Sequence, residues 1–346
     1  MKTSKRLYGY TVEIGAKEPF FWMDGLLAYG LQEISKDPAC LDDGNFWAVS
    51  TTFEGEWICA RFERVVHAPL PTARQSWAKI NGTWLSSLDK SSYENYVEEI
   101  RSRISVGDVY QVNACRQLKV ALAEGASLLP LMHLIQEQNP APFGCYLRTA
   151  ELEIASASPE LLARRNGSRI TSGPIKGTHP LGSEYFGEKD KAENIMIVDL
   201  IRNDVGRISQ IGSVTVPRLL VSEDHPGLTH LVSDVQGEIL VGTSWADIAN
   251  AILPPGSVSG APKSSAVRII SELEVLPRGP YCGALGWVHG DQSLLSVAIR
   301  IFWNQGDEFL RFGTGAGITW GSDSTGEWEE TVLKASRLLS ISGGAI

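Results

Sequence analysis

The feature that most constrains this chain is a short stretch, residues 156–178, that reads SASPELLARRNGSRITSGPIKGT. Two runs of alternating character flank the pair Asn166-Gly167, which is typical of a two-residue turn between antiparallel strands. The stretch therefore predicts a β-hairpin that carries an acid, Glu160, on one strand end and a lysine, Lys176, on the other.

Both side chains lie in segments with a restrained backbone. Pro159 precedes Glu160, while Gly173-Pro174 and Gly177 bracket Lys176. Because proline fixes φ and glycine permits close backbone approach, the two side chains are expected to have defined directions. Such a pair suits a proton donor and a nucleophile. The alternative is a cross-strand ion pair on a solvated hairpin, and the residues taken alone favour that alternative.

Length and charge limit the class of protein. A chain of 346 residues with 43% apolar and 21% charged residues is typical of a globular protein with one large domain or two ordinary ones. The net charge of −9 argues against nucleic acid or an anionic membrane as a partner. A small anionic ligand is still compatible, because local cations, helix N-termini or a metal reverse the field inside a pocket.

The cysteines and the N-terminus indicate the compartment. Five cysteines are scattered without any Cys-x-x-Cys spacing, which predicts reduced thiols and neither a disulfide framework nor a zinc site. The first residues carry positive charge but no apolar core behind it, so no signal peptide is expected. The apolar stretch at residues 20–31 is interrupted by Asp24 and is too short to span a bilayer. We therefore expect a soluble, cytoplasmic protein.

The pattern of elements predicts an α+β fold. Residues 1–88 form a β-rich N-terminal subregion, and residues 89–346 form the remainder, expected as one continuous globular unit. Ser91 and Glu94 resemble a capping box at the start of the first helix. The predicted helices are residues 91–104, 127–138, 188–203, 245–251, 264–273 and 327–340. The predicted strands include residues 109–113, 144–148, 152–157, 212–221, 229–238, 283–289, 293–303 and 308–313, followed by a glycine-rich turn at 313–317.

Charged residues on the last helix suggest a cation site. Glu327, Glu330 and Lys334 share one helix face, and two carboxylates one turn apart suit Mg²⁺. The alternative is ordinary helix chemistry, since Glu330 and Lys334 have the favourable i, i+4 order and acids belong in a first turn. Glu193, on another acidic helix, would complete a metal site if the two helices meet.

Two further segments have weaker signals. Gly313–Gly317 offers backbone N–H groups to an anion, but a tight turn explains it equally well. The run Gly256–Ser264 lacks the Gly-Lys-Ser order of a phosphate loop because Pro262 interrupts it. His230 taken alone is expected to be a structural histidine.

Eight motifs follow one another along residues 90–340 approximately. They are GDVYQVN (107–113), SASPELL (156–162), GPIKGT (173–178), ENIMIVDLIRND (193–204), PPGSVSGAPK (254–263), SVAIR (296–300), GTGAGI (313–318) and EWEETVLKA (327–335). In this order they together resemble the chorismate-utilising enzymes, a family that includes anthranilate synthase component I, aminodeoxychorismate synthase component I, isochorismate synthase and salicylate synthase.

The resemblance implies a large α+β fold with the active site between two packed β-sheets and helices outside. It implies Mg²⁺ on Glu193, Glu327 and Glu330, holding the ring carboxylate of chorismate. Glu160 matches the general acid that protonates the departing 4-hydroxyl. The enolpyruvyl carboxylate would be met by Arg300, Tyr281 and the amides of Gly315, Ala316 and Gly317, and further pocket positions match Lys334, Thr178 and His230.

Two positions distinguish the branches of the family. Isochorismate and salicylate synthases have a water-activating lysine where this chain has Gln111, which argues against those branches. Anthranilate synthases have alanine where this chain has Lys176, and a lysine there is the mark of aminodeoxychorismate synthases. The resemblance implies that this lysine attacks C2 as the hydroxyl leaves C4. The chain also lacks the Leu-Leu-Glu-Ser segment of a tryptophan feedback site, which favours the folate branch.

The expected reaction is therefore conversion of chorismate and ammonia to 4-amino-4-deoxychorismate. No amidotransferase nucleophile motif is visible, and Cys115 is predicted in a strand, so ammonia is expected from a separate glutaminase subunit, with a lyase completing p-aminobenzoate. One alternative is anthranilate synthase component I with an unusual lysine. A more distant one is a non-catalytic chorismate-binding protein, which the presence of Glu160 and of all three metal-type carboxylates disfavours.

Overall fold

The computed structural model describes residues 14–15, 17–180, 186–225 and 228–345, with the side chains of 178–180, 189, 225 and 228 left out. Its helices in these ranges are α1 (Lys90–Ser105), α2 (Leu129–Gln138), α3 (Glu188–Gly206), α4 (Trp245–Ile252), the single turn α5 (Gly256–Ser259), α6 (Lys263–Leu273) and α7 (Ser324–Ser342), besides a 3-10 helix at Pro38–Asp43. Every helix predicted from the sequence is present, and the bounds differ by at most three residues.

The start of α1 corrects one prediction. The N-cap is Asp89, whose carboxylate accepts the backbone N–H of Ser92 at 2.8 Å. The Ser91–Glu94 capping box is therefore wrong, and Ser91 instead donates its hydroxyl to Asp89. A carboxylate at the N-cap satisfies an orphan donor as a serine would and also faces the positive end of the helix dipole.

The strands run along the whole described chain. In order they are Phe20–Met23 (β1), Leu26–Ser35 (β2), Phe46–Thr51 (β3), Trp57–His67 (β4), Ile80–Thr83 (β5), Leu85–Ser86 (β6), Gln111–Ala121 (β7), Phe143–Arg148 (β8), Glu153–Ser158 (β9), Leu161–Asn166 (β10), Arg169–Gly173 (β11), Ile175–Pro180 (β12), Thr215–His225 (β13), Leu228–Glu238 (β14), Gly260–Ala261 (β15), Ala284–His289 (β16), Gln292–Val297 (β17), Ile301–Asn304 (β18), Phe309–Ile318 (β19) and Gly343–Ala345 (β20).

Hydrogen bonds join nearly all of these strands. Within the described ranges, eighteen strands form one sheet, and β5 and β20 form a separate parallel pair. The α+β class is confirmed. The two sheets implied by the resemblance are here continuous parts of one hydrogen-bonded sheet. The buried apolar side chains form two clusters. One includes Trp47 and Tyr93, and the other includes Phe302 and Leu338.

The hairpin predicted at residues 156–178 is present. Strands β10 and β11 pair antiparallel, with Asn166 opposite Arg169, so the two turn residues are Gly167 and Ser168. The turn thus lies one residue later than Asn166-Gly167. Gly167 has φ +65°, a conformation that glycine adopts at no steric cost, and this fixes the turn at that place.

Two strand predictions near the C-terminal end are wrong. Gly313–Gly317 is not a turn, because β19 continues through it to Ile318, paired residue by residue with β7. The single strand predicted at 293–303 is two strands, β17 and β18, separated at 298–300. Arg300 in this break has φ +54°, which no regular strand residue adopts.

The N-terminal strands are hydrogen-bonded to strands from later in the chain. Strand β1 pairs with β8, and β3 pairs with β16 over Leu285–His289. No helix in the described part of the chain is long and apolar enough to cross a membrane.

Candidate active site

Glu160 lies in the short link between β9 and β10, at the same end of the hairpin as Lys176. Its backbone is held on both sides: Glu160 N–H donates to the hydroxyl of Ser158 at 3.3 Å, and Val297 N–H donates to the Glu160 carbonyl at 3.1 Å. Only 4% of the residue is exposed. The solvated cross-strand ion pair is therefore wrong for this residue, because the carboxyl lies inside the protein.

The environment of Glu160 makes it an acid that holds its proton near neutral pH. Burial raises its pKa from 4.5 to about 7, while hydrogen bonds from the Ser257 hydroxyl and the Ile175 N–H, and the nearby cations Lys176 and Arg300, oppose the rise. A carboxyl with a pKa near the working pH is suited to general acid catalysis.

The same pKa predicts a stability effect. Since the unfolded chain releases this proton near pH 4.5 and the folded one near 7, the folded state binds more protons in between, and stability falls as pH rises through this window. At 1.36 kcal/mol per pH unit the loss is about 3 kcal/mol above pH 7. Glu160→Gln, which cannot ionise, is expected to gain about this much relative to wild type between pH 5 and pH 8, measured by urea unfolding. Equal pH dependence of the two proteins would contradict the pKa.

Lys176 lies on β12 with its amine turned into the same region. Its Nζ donates to the backbone carbonyl of Ser257 at 3.2 Å. Burial lowers the pKa of the amine; the carboxylates of Glu193, Glu160 and Glu330 oppose this, while the Lys334 cation adds to it. A lysine must be neutral to act as a nucleophile, so the direction of this shift favours that role.

Gln111, at the start of β7, faces the same space. The residue is fully buried, and neither Nε2 nor Oε1 of its amide has a hydrogen-bond partner among the described residues. A Cβ placed on Gly317 would lie 2.4 Å from Gln111 Nε2 and 3.8 Å from Lys176 Nζ. Buried amides without partners are rare and costly, so this one indicates a ligand that completes its hydrogen bonds.

The end of β19 carries the predicted carboxylate-binding segment. Gly315, Ala316 and Gly317 pair with β7 on one side. Among the described strands, β18 is bonded to β19 only at Arg311 and Phe312, so the second edge of β19 is uncovered by strand pairing from Gly313 onward. Backbone groups along such an edge are available to a ligand.

Tyr281 contacts the start of this edge, and Arg300 immediately precedes β18. The Tyr281 ring packs where a Cβ on Gly313 would sit, at 2.2 Å from its Cγ, so only glycine fits there. The hydroxyl lies 4.0 Å from the Cys115 sulfur, and burial raises the tyrosine's pKa well above its usual range. Burial lowers the pKa of Arg300, which the Glu160 carboxylate opposes.

His230 and Thr178 are neighbours on paired strands. Strand β14 places His230 opposite Thr178 of β12 and opposite Glu223 of β13. His230 is almost fully buried. The side chain of Thr178 lies outside the described residues, so its predicted role stays a prediction.

The acidic face of α7 lies beside this region. Lys334 Nζ is 2.6 Å from Glu330 Oε1, so the predicted i, i+4 pair is confirmed, and the same amine donates to the Gly315 carbonyl at 3.1 Å. Glu327 is buried and accepts the Ser322 hydroxyl at 2.6 Å. Glu193 of α3 lies near enough to Lys176 to influence its pKa.

Oxygen donors of this kind match the ligand chemistry of Mg²⁺. In the described part of the chain, however, no three carboxylate, histidine or cysteine side chains are gathered closely enough to hold a metal ion. In this structure the Glu330 carboxylate forms an ion pair with the Lys334 ammonium group. The donor chemistry fits the metal, and the metal itself stays a prediction.

Sequence reasoning missed the support beneath the site. Arg278 is 1% exposed and forms a bidentate ion pair with Glu274, at 2.9 Å from Nε and 2.7 Å from Nη2. The same guanidinium donates to the carbonyls of Asn113 and Val258, both at 2.7 Å. In a sequence, an Arg–Glu pair at i, i+4 indicates an ion pair on a helix surface. Here the paired Arg278 is buried, and its guanidinium joins β7 to the turn α5.

The model of a family described as chorismate binding enzyme matches residues 41–340. The chain belongs to this family. All of the candidate site residues lie within the matched range.

Curated relatives of the chain include proteins of two different names. The chain is 34% identical over 282 residues to aminodeoxychorismate synthase component 1 of Bacillus subtilis, covering 77% of this chain and 59% of that protein. It is 35% identical over 269 residues to anthranilate synthase component 1 of Aquifex aeolicus, covering 74% of this chain and 54% of that protein. The matches thus span somewhat more than half the length of these relatives, and identity alone does not separate the two activities.

Solved structures show the same fold. An anthranilate synthase component I of Streptococcus pneumoniae superposes with a TM-score of 0.76 at 22% identity, covering 97% of this chain and 94% of that one. A 2,3-dihydroxybenzoate-specific isochorismate synthase of Bacillus anthracis gives 0.78 at 22% identity, covering 95% and 97%. At this identity the likeness concerns the fold alone.

Proposed function

We propose that this chorismate-binding enzyme acts as aminodeoxychorismate synthase component I, converting chorismate and ammonia to 4-amino-4-deoxychorismate. The observation that carries the proposal is the placement of Lys176, an amine of lowered pKa beside a buried acid, at the position where the anthranilate synthases it resembles have alanine. Relatives named for either branch are 34% and 35% identical to the chain, so the choice between the branches depends on the residue at position 176.

The chain's own residues support a sequence of steps. Glu160, which holds its proton in a large share of molecules at neutral pH because its pKa is about 7, donates that proton to the 4-hydroxyl as the C4–O bond breaks and water leaves. The neutral amine of Lys176 forms a bond to C2 as the ring double bonds shift. Ammonia entering at C4 shifts them back and expels the neutral lysine, and the proton that the new C4 ammonium group loses returns to Glu160. The balance is chorismate plus ammonia giving 4-amino-4-deoxychorismate plus water.

Binding is assigned to the rim of this space. Arg300, Tyr281 and the backbone of Gly315–Gly317 would hold the enolpyruvyl carboxylate, and Gln111 would complete its amide hydrogen bonds on the substrate. Mg²⁺ held by Glu193, Glu327 and Glu330 would bind and neutralise the ring carboxylate, with His230, Thr178 and Lys334 around it. Ammonia is proposed to come from a separate glutaminase subunit, and a lyase would act on the product.

The decisive experiment is product analysis by mass spectrometry of the purified protein with chorismate, ammonium and Mg²⁺, with and without EDTA. A product that an added lyase converts to p-aminobenzoate, lost with EDTA, is expected. Anthranilate would overturn the branch and assign the protein to the anthranilate synthases. Chorismate binding without any turnover would instead favour a non-catalytic binding protein.

A glycine substitution tests the assigned binding space. Gly317→Ala places a methyl group 2.4 Å from Gln111 Nε2 and must displace that amide. We expect kcat/KM for chorismate to fall by about 10- to 100-fold, since displacement of a positioning group by about 1 Å has effects of this size.

The matched control is Gly321→Ala, because no atom lies within 4 Å of the added methyl group there. It should retain kcat/KM. Wild-type kinetics in Gly317→Ala would show that Gln111 and Gly317 do not border the substrate.

A further inference from the structure

One residue of the turn α5, Ser257, accepts a hydrogen bond from the lysine and lines a small cavity together with the acid. We infer that Ser257 is a positioning residue, whose hydroxyl holds the Glu160 carboxyl while its carbonyl holds the Lys176 amine. The inference rests on the proposed function, because it takes Glu160 as the acid and Lys176 as the nucleophile.

Two different atoms of one buried residue face the two groups. Lys176 Nζ donates to the Ser257 carbonyl at 3.2 Å, and the Ser257 hydroxyl lies near enough to the Glu160 carboxyl to lower the pKa of that acid. Ser257 also lines a small cavity together with Glu160. Because both contacts belong to one residue, the separation of the acid and the amine follows from the covalent geometry of that residue.

The turn itself is fixed from several sides. Arg278 donates to the Val258 carbonyl at 2.7 Å, and the backbone N–H of Ser259 donates to the Pro255 carbonyl at 3.1 Å. Just after the turn, Gly260 pairs with Val112 of β7. A group that positions catalytic side chains must itself be held, and these bonds hold Ser257 against the strand that carries Gln111.

A second anchor closes the segment. Lys263 Nζ is 2.6 Å from Asp204 Oδ2, and both side chains are largely buried. This pair joins the start of α6 to the end of α3. Residues 253–263 are thus tied to β7, α3 and Arg278, and Ser257 lies in the middle of them.

The chemistry of the two contacts differs. A hydroxyl that donates to Glu160 favours the ionised carboxylate, so it limits how far burial raises the pKa of the acid. A neutral amine that donates one N–H to a carbonyl has its lone pair directed away from that carbonyl. Ser257 therefore sets the protonation range of the acid and the direction of the lysine.

The test compares Ser257→Ala with Ser257→Thr and with the matched control Ser259→Ala, which removes a buried hydroxyl from the same turn without touching Glu160. Chorismate consumption is followed from pH 5.5 to 9. Ser257→Ala is expected to lower kcat about 10- to 100-fold, the effect of losing a hydrogen bond to an ionisable group, with little change in KM. The alkaline limb of its pH–kcat profile should move to higher pH, because Glu160 without the Ser257 hydroxyl keeps its proton up to a higher pH. Ser257→Thr and Ser259→Ala should keep the wild-type limb.

A fall in kcat without movement of the alkaline limb, or movement of the limb in Ser259→Ala as well, would show that Ser257 has only a structural role and would overturn the inference.

The assay follows the loss of chorismate and does not depend on which product forms. Anthranilate from the wild type would therefore refute the proposed function, while the position of the alkaline limb would still test Ser257. If the wild type shows no turnover, urea unfolding serves: Ser257→Ala must lose more stability between pH 5 and pH 8 than Ser259→Ala, and an equal loss refutes the inference. Ser257→Cys, a weaker donor of similar size, replaces Ser257→Ala if the latter does not fold.

Discussion

Glu160→Gln is expected to lower kcat for chorismate by at least ~10²-fold while leaving chorismate binding close to wild type. Glutamine keeps the size of the side chain and still accepts the hydrogen bonds from Ser257 and the Ile175 N–H. It cannot give a proton to the departing hydroxyl. Single-turnover kinetics and equilibrium binding, measured on the same preparation, separate the two effects.

Glu238→Gln is the control for this variant, because Glu238 accepts from Ser168 and Arg169 at the opposite end of the same hairpin region, away from the acid. It should retain wild-type kcat. Turnover within a few-fold of wild type in Glu160→Gln would remove Glu160 from the mechanism, and lost binding would make it a binding residue instead.

Lys176→Ala is expected to reduce formation of 4-amino-4-deoxychorismate by on the order of 10³-fold or more, as loss of a covalent nucleophile does in other enzymes. Lys176→Arg restores a cation but not a nucleophile, so it should be equally inactive. The rate is measured by coupling to an added lyase. Incubation with chorismate and intact-protein mass spectrometry of the wild type should reveal an adduct that Lys176→Arg lacks.

Lys119→Ala is the control, because Lys119 lies on the exposed far end of β7, near the ring of Phe309. It should leave the rate unchanged. Full activity in Lys176→Arg would mean that position 176 supplies charge alone, and the covalent step would have to be abandoned.

Local signals in the sequence were sufficient for most elements. The hairpin at 156–178 was predicted because its turn requires glycine and its strands alternate, and the helices because their apolar periodicity is regular. The same signals placed Glu160 and Lys176 at one end of the hairpin, which the structure confirms. The roles of the site residues came from the family resemblance, and they stay predictions.

The predictions that were wrong concern contacts between residues far apart in the chain. Gly313–Gly317 reads as a turn, yet these glycines are required by neighbours across the fold: the Tyr281 ring fills the space beside Gly313, and the Gln111 amide fills that beside Gly317. No local pattern shows this. The sequence does not single out Ser257 for a similar reason, because the two residues that it interacts with, Glu160 and Lys176, lie 97 and 81 positions away. The bracketing of Ser257 by Pro255 and Gly260 was the one local hint of a fixed turn.

The pairing of the N-terminal strands with β8 and β16 has a consequence for cutting the chain. A shortened protein that starts after residue 88 would lose β1 and β3, and with them the hydrogen-bonding partners of Cys145–Arg148 and Leu285–His289. Exposed strand edges of this kind recruit other chains and promote aggregation. Exchange of residues 1–88 between relatives would therefore succeed only where the incoming strands pair in register with both β8 and β16. A linker of the right length would not replace that pairing.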